Sequence, residues 1–320
     1  MKIQEIQDLF IKEGIATDPR GKEAVDFDLK KRKSKFDELS DEKKKLFDVE
    51  SLTNPYYDSR ILYGNKNSEV KSVLVGIDVE TPEITLAQQL INSGKKIDLI
   101  IAHHPEGYAY STFSQVVEMQ ADILHKYGVP INIAEKIICE RQNEVCRSIL
   151  PQNNERVYDA AKLLNIPLMT AHTVADNHVV AFLQEKIEMS SPNFLKDIVK
   201  ILNEFPEYQH AASINSKPFI LSGNDYSRCG KIFVDMTGGT EGPIEAFQNL
   251  SKTGVGTLVS MHLSSKAVKE AEKYHMNIVL AGHISSDNLG LNLLFDKLEK
   301  SLGKIEFLEF SGFRRFRRNS

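Results

Sequence analysis

From Val70 onward the chain alternates between two patterns. Short, nearly continuous apolar runs of strand length fall at 73–77, 97–101, 130–133, 166–169, 232–236, 257–261, 277–280 and 305–310. Between them lie helical stretches, one carrying Ile84, Leu86, Leu90 and Ile91 up to Gly94, others near 115–127, 154–164, 195–205, 243–252, 264–274 and 289–302. Runs that do not alternate with polar residues suit a sheet covered on both faces. Strands alternating with helices predict an α/β protein whose sheet is mostly parallel. Ser190-Ser191-Pro192 interrupts the rhythm and reads as a boundary between two lobes, 67–190 and 191–320, with room for the lobes to interleave. An irregular, β-rich stretch is expected over 211–226.

The first 66 residues follow a different pattern. Ile3, Ile6, Leu9, Phe10 and Ile11 make an amphipathic start that Asp18-Pro19-Arg20-Gly21 ends as a turn. Charges of both signs from Asp26 to Lys45 then surround Phe36, Leu39, Leu46 and Phe47, the pattern of surface helices. Ser40-Asp41-Glu42-Lys43 reads as a helix start capped by Ser40. Residues 1–66 are therefore predicted to be a helical N-terminal extension.

Composition narrows the class. Forty Lys and Arg against 44 Asp and Glu leave a net charge of -4. No whole-molecule field therefore favours nucleic acid or a membrane surface. The apolar runs fall far short of the roughly 18 residues of a membrane span, and the charged N-terminus lacks the apolar segment of a secretory leader. A cytoplasmic protein is expected. Cys139, Cys146 and Cys229 are odd in number and lack C-x-x-C spacing, so they read as buried or semi-buried free thiols and not as a disulfide framework or zinc knuckle. The basic tail Phe313-Arg314-Arg315-Phe316-Arg317-Arg318 reads as a solvated terminus.

The chemistry collects where strands end. Leu99-Ile100-Ile101-Ala102 runs into His103-His104, Leu168-Met169-Thr170-Ala171 into His172, and Ile278-Val279-Leu280-Ala281-Gly282 into His283. A fourth run, 257–261, ends at His262. In a mostly parallel sheet the carboxyl ends of the strands share one edge, where ligands bind. His172 precedes Asp176 by four residues and His283 precedes Asp287 by four, which puts each pair on one face of a helical turn. Imidazole with carboxylate, and no thiolate, suits zinc, iron, manganese or cobalt. Carboxylates able to bridge suggest two ions. Asp78 reads as a turn residue at the same edge, and His178 and His262 as secondary ligand candidates. His125, His210 and His275 read as ordinary surface residues. Gly238-Gly239-Thr240-Glu241-Gly242, between a strand and a helix, reads equally as an anion nest or as tight packing, with Glu241 disfavouring a phosphate.

In these motifs the chain resembles the Nif-three-like family (NGG-one-interacting factor three), dinuclear-metal proteins often labelled type 2 GTP cyclohydrolase I. Ala102-His103-His104-Pro105 resembles the family's first motif and Ala171-His172-Thr173-Val174-Ala175-Asp176 its second. Gly282-His283-Ile284-Ser285-Ser286-Asp287 resembles its last, with Asp for the usual Glu. The resemblance runs from about Val70 to Phe310 and leaves the extension outside. It implies two α/β lobes with a metal site in the cleft between them. It implies two divalent ions (zinc, iron or manganese) held by His103, His104, Asp176, His283 and Asp287, the shorter Asp287 holding its ion more weakly. Glu106-Gly107 stands where apolar residues are usual. A homo-oligomer is also implied, the family forming hexameric rings.

The expected activity is metal-dependent hydrolysis of a small molecule by a metal-bound hydroxide, with His172 as the acid or base and a nucleotide such as GTP among the candidate substrates. The alternative is a non-catalytic metal-binding regulatory or scaffold protein. The charge balance gives a nucleic-acid role no support.

Overall fold

The apolar runs bury themselves by pairing with one another and being covered by helices on both sides. In the computed structural model, which describes residues 1–318, they form two mixed sheets in a chain of mixed α/β structure. The N-terminal segment folds as α1 (Ile3–Ala16), α2 (Lys22–Asp37) and α3 (Asp41–Lys44). The first lobe follows with β1 (Ile61–Tyr63), β2 (Ser72–Gly76), α4 (Thr81–Asn92), β3 (Leu99–Ala102), α5 (Gly107–Ser111), α6 (Met119–Lys126), α7 (Ile131–Ile149), α8 (Arg156–Leu163), β4 (Leu168–Thr170) and α9 (Thr173–Ser190). Then come α10 (Leu195–Leu202), α11 (Pro206–Ser213), β5 (Phe219–Ser222), β6 (Lys231–Asp235), α12 (Phe247–Lys252), β7 (Val255–Ser260), α13 (Ser265–Lys273), β8 (Asn277–Leu280), α14 (His283–Leu302) and β9 (Glu306–Glu309).

The two sheets repeat one topology. The first has the order β1-β4-β3-β2-β9 and the second β5-β8-β7-β6. The first has four parallel strands and the second three, and each carries one antiparallel strand at the edge, β1 on β4 and β5 on β8. In each, the strand beside that edge runs straight into a long helix, β4 into α9 and β8 into α14. These two helices pack against each other, one from each lobe. β9 crosses back to lie parallel to β2, so the chain interleaves and the second sheet does not own its last strand.

α9 and α14 approach closely because of Gly290. A Cβ there would lie 2.5 Å from the Ala175 carbonyl oxygen and 2.8 Å from Val179 Cγ2. α1 closes on the same pair, since a Cβ on Gly14 would lie 2.8 Å from Val174 Cγ1. Ile3, Ile6 and Phe10 of α1 are fully or almost fully buried in one cluster with Val73, Leu99, Val174, Leu291 and Phe295. The helical N-terminal segment is thus built into the first lobe, and its last residues supply β1. α2 buries only Val25, the surface helix that its charges predict.

Four expectations are corrected. Residues 130–133 are not a strand: Pro130 opens α7, whose buried face is Ala134, Ile138, Val145 and Ile149. Cys139 and Cys146 lie off that face and are exposed, while Cys229 is buried. The stretch 211–226 begins as helix α11 and contributes one short strand, β5. The tail is packed down. Phe313 is fully buried, edge-on to Phe295 at 5.6 Å. Arg315 pairs with Asp296 at 2.5 Å and Glu299 at 2.9 Å, and Arg318 with the buried Glu207 at 2.8 Å. Acidic residues on α14 and α11, read from sequence only as helix surface, hold the basic tail. No described helix is long and apolar enough to cross a membrane.

Two substitutions test this packing. Gly290→Ala forces α9 and α14 apart and is expected to lower the unfolding free energy by about 1–3 kcal/mol. Phe313→Ala is expected to cost about 3–5 kcal/mol, where a solvated tail would cost nothing measurable. Denaturant unfolding of the full chain reads both.

Candidate metal centre

The sheet edge places the histidines. Past the end of β3, His103 N–H still donates to Gly76 O at 2.9 Å and His104 N–H to Ile77 O at 3.0 Å. This extra pairing with β2 fixes both backbones where the chain would otherwise turn away. His172 is the residue before α9 and Asp176 lies one turn inside it. Gly282, at φ +103°, makes the sharp entry to α14. His283 is the first residue of that helix, and Asp287 lies one turn in. Both helices therefore direct their N-terminal turns, and one carboxylate each, at the same point.

Three imidazoles are oriented alike. His103 Nδ1–H donates to the Ala171 carbonyl at 3.0 Å, while its Nε2 lies 3.5 Å from both Asp176 Oδ1 and Asp287 Oδ1. His104 Nδ1 meets Asp78 Oδ1 at 2.6 Å, and its Nε2 lies 3.6 Å from Asp287 Oδ2. His172 Nδ1 meets Asp58 Oδ2 at 2.8 Å, and its Nε2 lies 3.7 Å from Asp176 Oδ2. His283 adds Nε2 at 3.5 Å from Asp287 Oδ2. An outer acceptor on one ring nitrogen, with the other aimed inward, is the arrangement that orients metal-ligating imidazoles. Asp287 faces His103 with one oxygen and His104 and His283 with the other, which is a bridging position.

The donor set fits a metal. His103 Nε2, Asp176 Oδ1 and both oxygens of Asp287 are buried and find no hydrogen-bond partner among the described residues. Buried acceptors without partners are costly, and a cation between them satisfies all at once. Three overlapping ligand groups emerge: His103, Asp176 and Asp287; His104, His283 and Asp287; and His103, His104 and His172. Without a cation the charges compete. Burial drives Asp176 well above the carboxylate range. Burial also opposes the charge of Asp287, but His103, His104 and His283 hold it well below that range. Burial lowers His104, yet Asp287 and Asp78 outweigh it and push the imidazole up to about 10. His283, desolvated and beside other imidazoles, falls to about 4 despite Asp287.

The centre opens into a cavity of about 740 Å³ lined by His104, His172, His283, Phe113, Arg156 and Glu106 among others. Burial, with Glu80 adding to it, raises the Glu106 carboxyl to about 7. His262 stands at the mouth, its ring 4.8 Å from that of His283. It is the second lobe's counterpart of His104: each lies two residues past a strand end, after Ser260 and Ala102. His178 is absent from the centre; it is buried elsewhere, with Nδ1 2.7 Å from Thr17 Oγ1. The glycine loop lines the same cavity through Gly239, Thr240 and Glu241, and is held in place by its Gly238 and Thr240 carbonyls accepting from Gln120 Nε2. His125 is likewise occupied, by the Val129 carbonyl. Asp58 and Ser59 join the site through His172. They stand in the N-terminal segment without a motif, and only the pairing of β1 with β4 brings them here.

The sequence matches no family model and no curated protein. Among solved structures, a NIF3 superfamily protein from Sphaerobacter thermophilus is similar over 80% of this chain and 92% of its own, at 27% identity and a TM-score of 0.69. This chain belongs to the NIF3 superfamily. The reduced form of HcgD from Methanocaldococcus jannaschii is more distant, at 15% identity and a TM-score of 0.49 over 84% of this chain and 94% of that one. NIF3 membership matches the resemblance carried by His103-His104, His172 to Asp176 and His283 to Asp287.

The charge competition yields a pH test. With its folded pKa raised, His104 stabilises the metal-free protein fully below about pH 6.5, and this is lost as pH climbs toward 10. A raised Asp176 also makes metal-free stability fall as pH rises above the ordinary carboxylate value. A cation must displace both protons, so it binds better as pH rises. The gap in melting temperature between zinc-loaded and chelator-treated protein is expected to widen from about pH 6 to 8; a constant gap would refute the assignment.

Proposed function

We propose that this NIF3 protein binds two divalent ions and acts as a metal-dependent hydrolase on a small molecule held in the cavity beside them. The observation that supports it is the set of four buried, partnerless acceptor atoms between imidazoles whose outer nitrogens are already engaged. In the proposed arrangement His103, Asp176 and Asp287 hold one ion, His104, His283 and Asp287 the other. When bound, such ions supply Lewis acidity and lower the pKa of water. The chain's own residues do the rest. Asp287 spans both positions. Ala171 and Asp78 fix the tautomers of His103 and His104. His172, 6% exposed at the cavity wall, is placed to take or return a proton at Nε2. Phe113, whose ring lies 5.5 Å from that of His172, gives a bound molecule an apolar surface.

The test is metal content followed by a substrate screen. Purified protein is expected to carry about two ions per chain and, with zinc, manganese or iron, to hydrolyse a member of a panel of phosphoesters, nucleotides including GTP, and cyclic amides. His104→Ala is expected to halve metal content and reduce turnover at least about 100-fold. Two ions with no turnover would leave a metal-binding regulatory protein and end the hydrolase reading. One ion or none would end the dinuclear one.

A further inference from the structure

Asp58 lies in the segment preceding β1, far in sequence from every motif of the site, and its side chain is fully buried. Four donors converge on its carboxylate. His172 Nδ1 lies 2.8 Å and Thr173 Oγ1 2.6 Å from Oδ2. Thr173 N–H reaches Oδ1 at 3.4 Å, and Ser59 Oγ–H reaches the same oxygen at 3.0 Å. Ser59 Oγ in turn accepts the His172 backbone N–H at 3.0 Å. A carboxylate has about four acceptor sites and no hydrogen to give. Burial works against its charge, yet these donors keep Asp58 below the ordinary carboxylate range. An acceptor of this kind requires a hydrogen on His172 Nδ1.

We propose that Asp58 is a positioning residue of the metal centre: it sets His172 in the Nδ1–H tautomer and turns its Nε2 lone pair toward the cavity. The arrangement rests on the reading of this pocket as a metal site. It completes a pattern, because His103 is set by a backbone carbonyl, His104 by Asp78 and His172 by Asp58. The N-terminal segment then has a function at the site, carried by one side chain. The tautomer also selects what binds. Neutral His172 meets the cavity with an acceptor at Nε2, so the group that pairs with it there is an O–H or N–H donor.

Imidazole nitrogens report this directly. In uniformly ¹⁵N-labelled, zinc-loaded full-length protein, a long-range ¹H–¹⁵N correlation is expected to show His172 with its hydrogen on Nδ1, the signal assigned by its loss in His172→Gln. Asp58→Asn presents an amide to the same four donors and is expected to move the hydrogen to Nε2 in a large fraction of molecules, with metal content unchanged. Thr173→Val removes another of the four donors, keeps Asp58, and is expected to retain the wild-type pattern. A hydrogen on Nε2 in the wild-type protein overturns the proposal whatever the variants do. So does a folded Asp58→Asn protein with an unchanged pattern, or Thr173→Val shifting the pattern as much as Asp58→Asn. Should the protein bind no zinc, the hydrolase reading falls, and the same spectrum of chelator-treated protein at about pH 8.5, where free imidazole is neutral, still decides the role of Asp58.

Discussion

Asp176 and Asp287 are buried carboxylates facing one another from two packed helices, and much of the surrounding structure answers that constraint. Both oxygens of Asp287 and Oδ1 of Asp176 are buried without a hydrogen-bond partner, and each helix contributes the positive end of its dipole to the point where they meet. Four imidazoles are gathered around them from three strand ends. Each of the three innermost is tied down by its outer nitrogen, so that its inner nitrogen has one direction to face. The strands set where the rings start, and the outer acceptors set where they point.

Around this centre the chain ends act as braces. α1 lies against α9 through Gly14 and also packs on α14, and the segment after α3 carries Asp58 to the back of His172. At the other end, β9 returns to the first sheet and the tail folds over α14. Ser311 Oγ donates to the carbonyl of Asp78, the residue that holds His104. Asn288, next to Asp287, donates to Gly312 O and accepts from Arg314 N. The residues that hold the ligands in place are thus drawn largely from outside the two sheets.

The alternation of apolar runs showed the α/β class, and the strand-end histidines with their i, i+4 carboxylates showed the centre, because these are local patterns with a fixed geometric meaning. What they could not show was long-range. Residues 130–133 are as apolar as a strand, and only the face continued by Ala134, Ile138 and Val145 identifies a helix. The tail looks solvated until Asp296, Glu299 and Glu207 are known to lie beneath it. Asp58 has no neighbour in sequence that marks it; its role arises from a strand pairing across more than a hundred residues.

Gly290 and Asp287 occupy the same helix three residues apart. The missing β-carbon at 290 lets the α14 backbone close on Ala175, the neighbour of Asp176. The spacing between the two buried carboxylates is therefore coupled to a glycine that touches neither of them, so a change of one methyl group in the helix seam is felt as a change in how two charges meet.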